Sequence, residues 1–203
     1  MADYKTIHGT LVRSYTTDPD NLIQGQVWYD KTNKVLQFQG QGAGAWSSGG
    51  NLNTGRSTSG TAGTGNTTGL VFGGLPPTTA KTESYNGTNW TEVADLNTAR
   101  NAFTGAGTYT SALAFGGTGP PPGLAITELW NGSGWTEVAD LNTGRSSLRG
   151  TGADNTAALG VGGYSPPLTG KTELWNGTAW TEVADLNTAR SYVGFGGTST
   201  SAI

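Results

Sequence analysis

Three sets of carboxylates return at fixed intervals along the chain: Glu83, Glu128 and Glu173; Glu92, Glu137 and Glu182; Asp95, Asp140 and Asp185. Two carboxylates can share acid–base work only when their environments separate their pKa values. Side chains that recur at the same repeat position meet equivalent surroundings. A structural role beside Lys81, Lys171 or the repeat arginines is therefore expected, with Asp140 and Arg145 in one connecting loop as the type of pair. His8, between Ile7 and Gly9, is the one histidine and has no thiol or second imidazole to share a metal with. The absence of cysteine excludes disulfides, thiol nucleophiles and thiolate metal sites. The diglycines after Phe72, Phe115 and Val161 lack the lysine and following helix of a phosphate loop, and read as strand ends that allow close packing. Among the Asn-x-Ser/Thr sites, which include Asn66, those at Asn86, Asn131 and Asn176 coincide with Asn-Gly turns, which accounts for them without glycosylation. Trp90, Trp135 and Trp180, with Tyr85, Trp130 and Trp175, could stack on sugars, but their repeat positions place most of them between neighbouring repeats. No catalytic residue, cofactor or metal ligand is assigned.

These residues belong to a repeat. The strings YNGTNWTEVADLNTAR, WNGSGWTEVADLNTGR and WNGTAWTEVADLNTAR start at Tyr85, Trp130 and Trp175, 45 residues apart, and a weaker copy ends at Arg56. Hydrophobic residues make up 34% of the 203 and charged residues 12%, with 34 glycines and 8 prolines, a composition that favours turns and strands over helices. Each period predicts four short strands, near 101–107, 111–116, 126–130 and 134–139 in the copy that follows Arg100. Four strands per period of this length is the arithmetic of a β-propeller blade, and the fold class expected is all-β. The net charge of −3 leaves no global basic surface, so nucleic acid is not an expected partner. No apolar run reaches membrane-span length, and the first residues do not read as a signal peptide.

The diglycine after the second strand, the aromatic ending the third, the tryptophan opening the fourth and the arginine beyond it resemble kelch repeats, from about Ala45 onward. The resemblance implies a kelch-type propeller. Such propellers serve as enzymes, adaptors and binding scaffolds alike. Three complete repeats are expected, from Arg56, Arg100 and Arg145, and the residues after Arg190 match the first strand and turn of a fourth. Kelch rings close with more blades than that. The ring is therefore expected to be incomplete, with the sequence the ordered portion of a longer polypeptide or with subunits completing one another as a homo-oligomer.

Two domains are expected, 1–44 and 45–203. In the first, 24–29 and 34–38 read as a hairpin, and KVLQFQG from Lys34 parallels KTELWNG from Lys171, so the hairpin is a candidate outer strand pair for the first blade. Val27, Trp28, Tyr29, Leu36 and Phe38 are candidate attachment residues, since a two-stranded unit cannot bury them alone. The pattern GQVWYD with NKVLQFQ and Trp46, and the stretch YKTIHGTLVRSYTTDPDN from Tyr4, resemble appendage proteins of bacteriophage virions, including kelch-repeat tail proteins of marine phages. That resemblance implies a virion location, anchoring to other virion proteins through the N-terminal module, and display of the repeats to a host-surface glycan or protein. Three loops vary on a repeated scaffold and are the candidate recognition elements: Leu75, Pro76 and Pro77; Pro120, Pro121 and Pro122; Tyr164, Pro166 and Pro167. The alternatives are a virion decoration or fitting without receptor contact, a carbohydrate-active propeller, and a cellular kelch adaptor.

Overall fold

Threonine-, glycine- and asparagine-rich segments support strands and turns, and among the described residues of the computed structural model there is no helix. The structure describes residues 13–16, 27–38, 49–194 and 196–202. The chain divides into two compact units, 1–48 and 49–203. His8, Trp46 and all of 4–21 except 13–16 lie outside the described residues, as does the Phe38 side chain.

In the first unit, β1 (Arg13–Tyr15) runs parallel to β2 (Val27–Asp30), which pairs antiparallel with β3 (Val35–Phe38). This corrects the hairpin expectation twice. A third strand, polar and without apolar alternation, joins the pair, and the three form a sheet of their own instead of completing the first blade. Asp30 shapes the β2–β3 turn. Its carboxylate accepts the Thr32 N–H (2.8 Å), the Asn33 N–H (3.1 Å) and the Asn33 amide (2.6 Å), bonds that hold its pKa below the ordinary 3.8.

The second unit contains three four-stranded antiparallel sheets, blade-like and compatible with a β-propeller-like arrangement. The first is β4 (Gly60–Ala62), β5 (Gly69–Gly74), β6 (Thr79–Tyr85) and β7 (Trp90–Val93). The second is β8 (Thr104–Gly107), β9 (Ala112–Phe115), β10 (Thr127–Trp130) and β11 (Trp135–Val138). The third is β12 (Arg149–Asp154), β13 (Ala157–Val161), β14 (Thr172–Trp175) and β15 (Trp180–Glu182). Strands pair in chain order in all three. A further pair, β16 (Gly197–Thr198) and β17 (Ser201–Ala202), begins a fourth. The β6–β7 connection is a four-residue loop, because Tyr85 pairs with Trp90. Gly87 has φ +95°, while Asn86 accepts the Thr88 and Asn89 N–H groups through Oδ1. The turn therefore differs from the two-residue Asn-Gly type that needs positive φ at both positions. The asparagine side chain caps it instead.

The apolar core lies between sheets. Phe72 of β5 meets Trp135 of β11 edge-on at 4.8 Å, and Phe115 of β9 meets Trp180 of β15 at 4.7 Å. Leu96 and Phe103 join the first cluster, Leu141 and Leu148 the second. The seam is closed by the diglycines. Gly73, Gly116 and Gly162 sit at φ +62°, +76° and +60°, where an L side chain is strained. The N–H groups of Gly74, Gly117 and Gly163 donate to the carbonyls of Arg100, Arg145 and Arg190 at 2.9, 3.0 and 2.9 Å. The close packing expected at these glycines is thus directed at the next repeat's arginine.

Candidate binding surface

Each buried glutamate is held by one repeated device. Asn97 donates both its backbone N–H (2.7 Å) and its side-chain amide (2.9 Å) to Glu128 Oε2, and the Thr98 N–H reaches Oε1 at 3.3 Å. The Arg100 guanidinium donates to the same Oε1 at 3.0 Å. Asn142 and Arg145 hold Glu173 in the same way, at 2.7 and 2.5 Å, and Asn53 and Arg56 hold Glu83 at 2.7 and 3.1 Å. Glu83, Glu128, Glu173, Arg100 and Arg145 are fully buried. Burial pulls the Arg100 guanidinium down to about 10, against the opposing charge of Glu128. Arginine suits the position because its fork also reaches the Ile126 and Ala114 carbonyls (2.7 and 3.2 Å), which join the loop to β9 and to the approach to β10.

The other carboxylates are equally occupied. Asp95, Asp140 and Asp185 accept the backbone N–H of Thr82, Thr127 and Thr172 at 3.0, 3.2 and 3.0 Å. The expected Asp140–Arg145 pairing is therefore corrected. The arginine reaches forward across its own repeat to Glu173, and the aspartate reaches back past β11 to Thr127 at the start of β10. Lys81 and Lys171 pair with Glu92 and Glu182 at 2.9 Å on the surface. Asn53, Asn97 and Asn142 went unnoticed in the sequence, although the invariant Asn-Thr-x-Arg string about 30 residues before each glutamate was a usable signal.

The candidate recognition loops join β5 to β6, β9 to β10 and β13 to β14, at the end of the sheets that carries the arginine loops. Pro76, Pro77, Pro120, Pro121, Pro122, Tyr164, Pro166 and Pro167 are exposed, and Leu75 is half-buried. Their bases are pinned. Leu75 exchanges backbone hydrogen bonds with Ser57 (2.8 and 3.0 Å), Tyr164 does so with Ser146 (2.9 and 2.7 Å), and the Thr118 N–H reaches the Asn101 carbonyl at 2.9 Å. The Pro-Pro pairs at 76–77, 121–122 and 166–167 are themselves 45 residues apart, so the stiff pair belongs to the scaffold and the flanking residues carry the variation.

A concavity of about 760 Å³ lies along the inner strands, lined mainly by glycine, alanine and threonine. Thr61, Thr68, Thr151 and Thr198 offer hydroxyls there, with Trp90 at one side and no charged residue in the lining. Sequence reasoning did not anticipate it, because its wall is assembled from strands of four successive repeats. In the first unit, Trp28 is buried, Val27 and Tyr29 are half-buried, and Leu36 is 51% exposed beside Val35 at 45%. The described residues contain no cluster of potential metal ligands. No protein-family model matches the chain, and no curated protein matches it.

Proposed function

We propose that the chain is a non-enzymatic kelch-type scaffold of a bacteriophage virion appendage, attached to the particle through 1–44 and presenting the repeats to the host surface. The observation that carries the binding reading is the placement of the three proline loops. They project with exposed tips and hydrogen-bonded bases at one end of three equivalent sheets. Loops stiffened in this way lose little conformational freedom on contact, and several appendages on one particle gain avidity without a deep pocket. Catalysis has less support, since each set of repeated carboxylates is held in one structural arrangement, copy after copy. The virion location is supported by the resemblance of 4–21, and of GQVWYD with NKVLQFQ and Trp46, to phage appendage proteins. The exposed Val35 and Leu36 of β3 supply apolar surface for attachment.

Mass spectrometry and immunogold labelling of purified particles test this reading, comparing full-length protein with a variant lacking residues 1–44. The expected result is incorporation of the full chain only, with the truncated repeats left soluble. Normal incorporation of the truncated protein would defeat the anchoring role, and absence of the full chain from particles would favour a cellular adaptor.

A further inference from the structure

Asn86, Asn131 and Asn176 open the turns between the third and fourth strands of the three complete sheets, and each is followed by glycine. All three asparagines are exposed. In each turn the carboxamide oxygen accepts two backbone N–H groups. Thr88 and Asn89 donate to Asn86 Oδ1 at 3.0 and 2.9 Å, Ser133 and Gly134 to Asn131 Oδ1 at 3.0 Å, and Thr178 and Ala179 to Asn176 Oδ1 at 2.9 Å. The Ser133 hydroxyl adds a third donor to Asn131 Oδ1 at 2.8 Å. Two groups in each turn stay uncommitted. The side-chain amide nitrogen of the asparagine donates to no described residue, and neither does the N–H of Gly87, Gly132 or Gly177. These glycines lie at φ +95°, +94° and +94°, and no β-carbon shields their nitrogens.

Those are the parts of an acyl transfer within one turn. A backbone nitrogen is the nucleophile, a carboxamide carbon the electrophile and an unheld NH2 the leaving group, with donors aimed at the oxygen that gains charge. We infer that Asn86, Asn131 and Asn176 are self-deamidation sites, and that the capped turn promotes the reaction through its donors to Oδ1. The glycine nitrogen gives its proton to solvent base and attacks Cγ. The N–Cγ bond forms, and the carbonyl π pair moves onto Oδ1, where the two or three donors stabilise it. The pair then returns, the Cγ–Nδ2 bond breaks, and the leaving nitrogen takes a proton and departs as ammonia. Water opens the resulting five-membered imide. Addition at Cγ breaks the new N–Cγ bond and gives aspartate. Addition at the asparagine main-chain carbonyl breaks the original peptide bond and gives isoaspartate, whose main chain runs through Cγ.

Both products carry a carboxylate, so complete reaction at the three sites takes the net charge from −3 to −6. Aspartate keeps the oxygen that caps the turn. Isoaspartate adds one atom to the main chain between Trp130 and Trp135, which pair directly across the turn, and so disturbs a tryptophan that packs on Phe72. The new charges fall away from the proline loops, since the two sets of connections lie at opposite ends of the third strands.

Peptide mapping of the full chain after incubation in mildly alkaline buffer reads the rate at each asparagine from the mass change of NH2 to OH. The same mapping in urea above the unfolding midpoint supplies the reference for the bare Asn-Gly sequence. Deamidation is expected to be at least as fast in the folded chain as in the unfolded one, and fastest at Asn131. In the folded chain, Ser133→Ala should slow Asn131 about three-fold or more, toward the rate of Asn86 and Asn176. Slower reaction in the folded chain than in urea would mean that the capping bonds hold the carboxamide away from the glycine nitrogen, and would overturn the inference. An Asn131 rate that Ser133→Ala leaves unchanged would overturn it as well.

Discussion

Trp135 and Trp90 occupy the same position in successive repeats, within the same Trp-Thr-Glu-Val string, yet they live in different surroundings. Trp135 is 7% exposed, packs on Phe72 and donates its indole N–H to Thr82 of the preceding sheet at 3.1 Å; Trp180 repeats this at 5%. Trp90 is half-buried, stacks on Tyr85 of its own sheet at 4.9 Å, and donates to the Gly50 carbonyl at 3.0 Å. Recurrence at one repeat position therefore does not give the three tryptophans equal burial, and Trp90 is the one not packed between two four-stranded sheets. A repeat residue takes its environment from the sheet in front of it, and no described four-stranded sheet precedes the first. Stability in this architecture resides in the seams between repeats, as a nearest-neighbour sum.

The largest effect should come from breaking a filled seam. Arg145→Ala strands the buried Glu173 carboxylate and should cost about 3–5 kcal/mol, read as a shift in the urea midpoint. A loss under ~1 kcal/mol would mean that Glu173 finds water or another donor. Trp135→Ala and Trp180→Ala should each cost about 3–5 kcal/mol, and Trp90→Ala roughly half of that because it buries less area. Equal losses at all three would show that Trp90 has a neighbour that the described residues do not reveal.

Gly116→Ala attacks the seam from the other side. An added Cβ would lie 2.6 Å from the Leu148 side chain and 2.8 Å from the Arg145 carbonyl, on a backbone at φ +76°. A cost on the order of 1–3 kcal/mol is expected from the backbone conformation alone, whereas Gly134→Ala, with open space around it, should be near neutral. Differential scanning calorimetry of the two variants separates them.

The smallest effect belongs to the surface. Glu92 raises the Lys81 pKa above 10.5 through their hydrogen bond. The contribution of this pair is present below 10.5 and is lost as pH rises through the raised value. Lys81→Met should leave the denaturation midpoint unmoved at neutral pH. A marked loss that disappears in high salt would identify the pair as a stronger contact than its exposure suggests.

Much of this molecule was legible before any coordinates. The period of 45 residues, the four strands per repeat and the absence of helix among the described residues follow from local composition and spacing, because turn chemistry and strand alternation act over a few residues. The observed β8, β9, β10 and β11 fall inside the four expected segments, shortened at their ends. The loop tips were legible too, since proline and glycine mark turns by their own backbone limits.

Partnerships were legible only in kind: the repeated carboxylates were expected beside Lys81, Lys171 or the repeat arginines, and the Lys81–Glu92, Lys171–Glu182 and three arginine–glutamate pairs are of that kind. That Arg145 binds Glu173 and not Asp140, that β1 pairs with β2, and that four repeats together wall one concavity depend on which strands lie side by side. Desolvation made the choice of partner. A guanidinium taken fully out of water requires a carboxylate and carbonyls at fixed distances, and only the assembled sheets bring them together. The repeat wrote the same asparagine, arginine and glutamate into each complete copy; only the assembled sheets brought the three side chains within hydrogen-bonding distance.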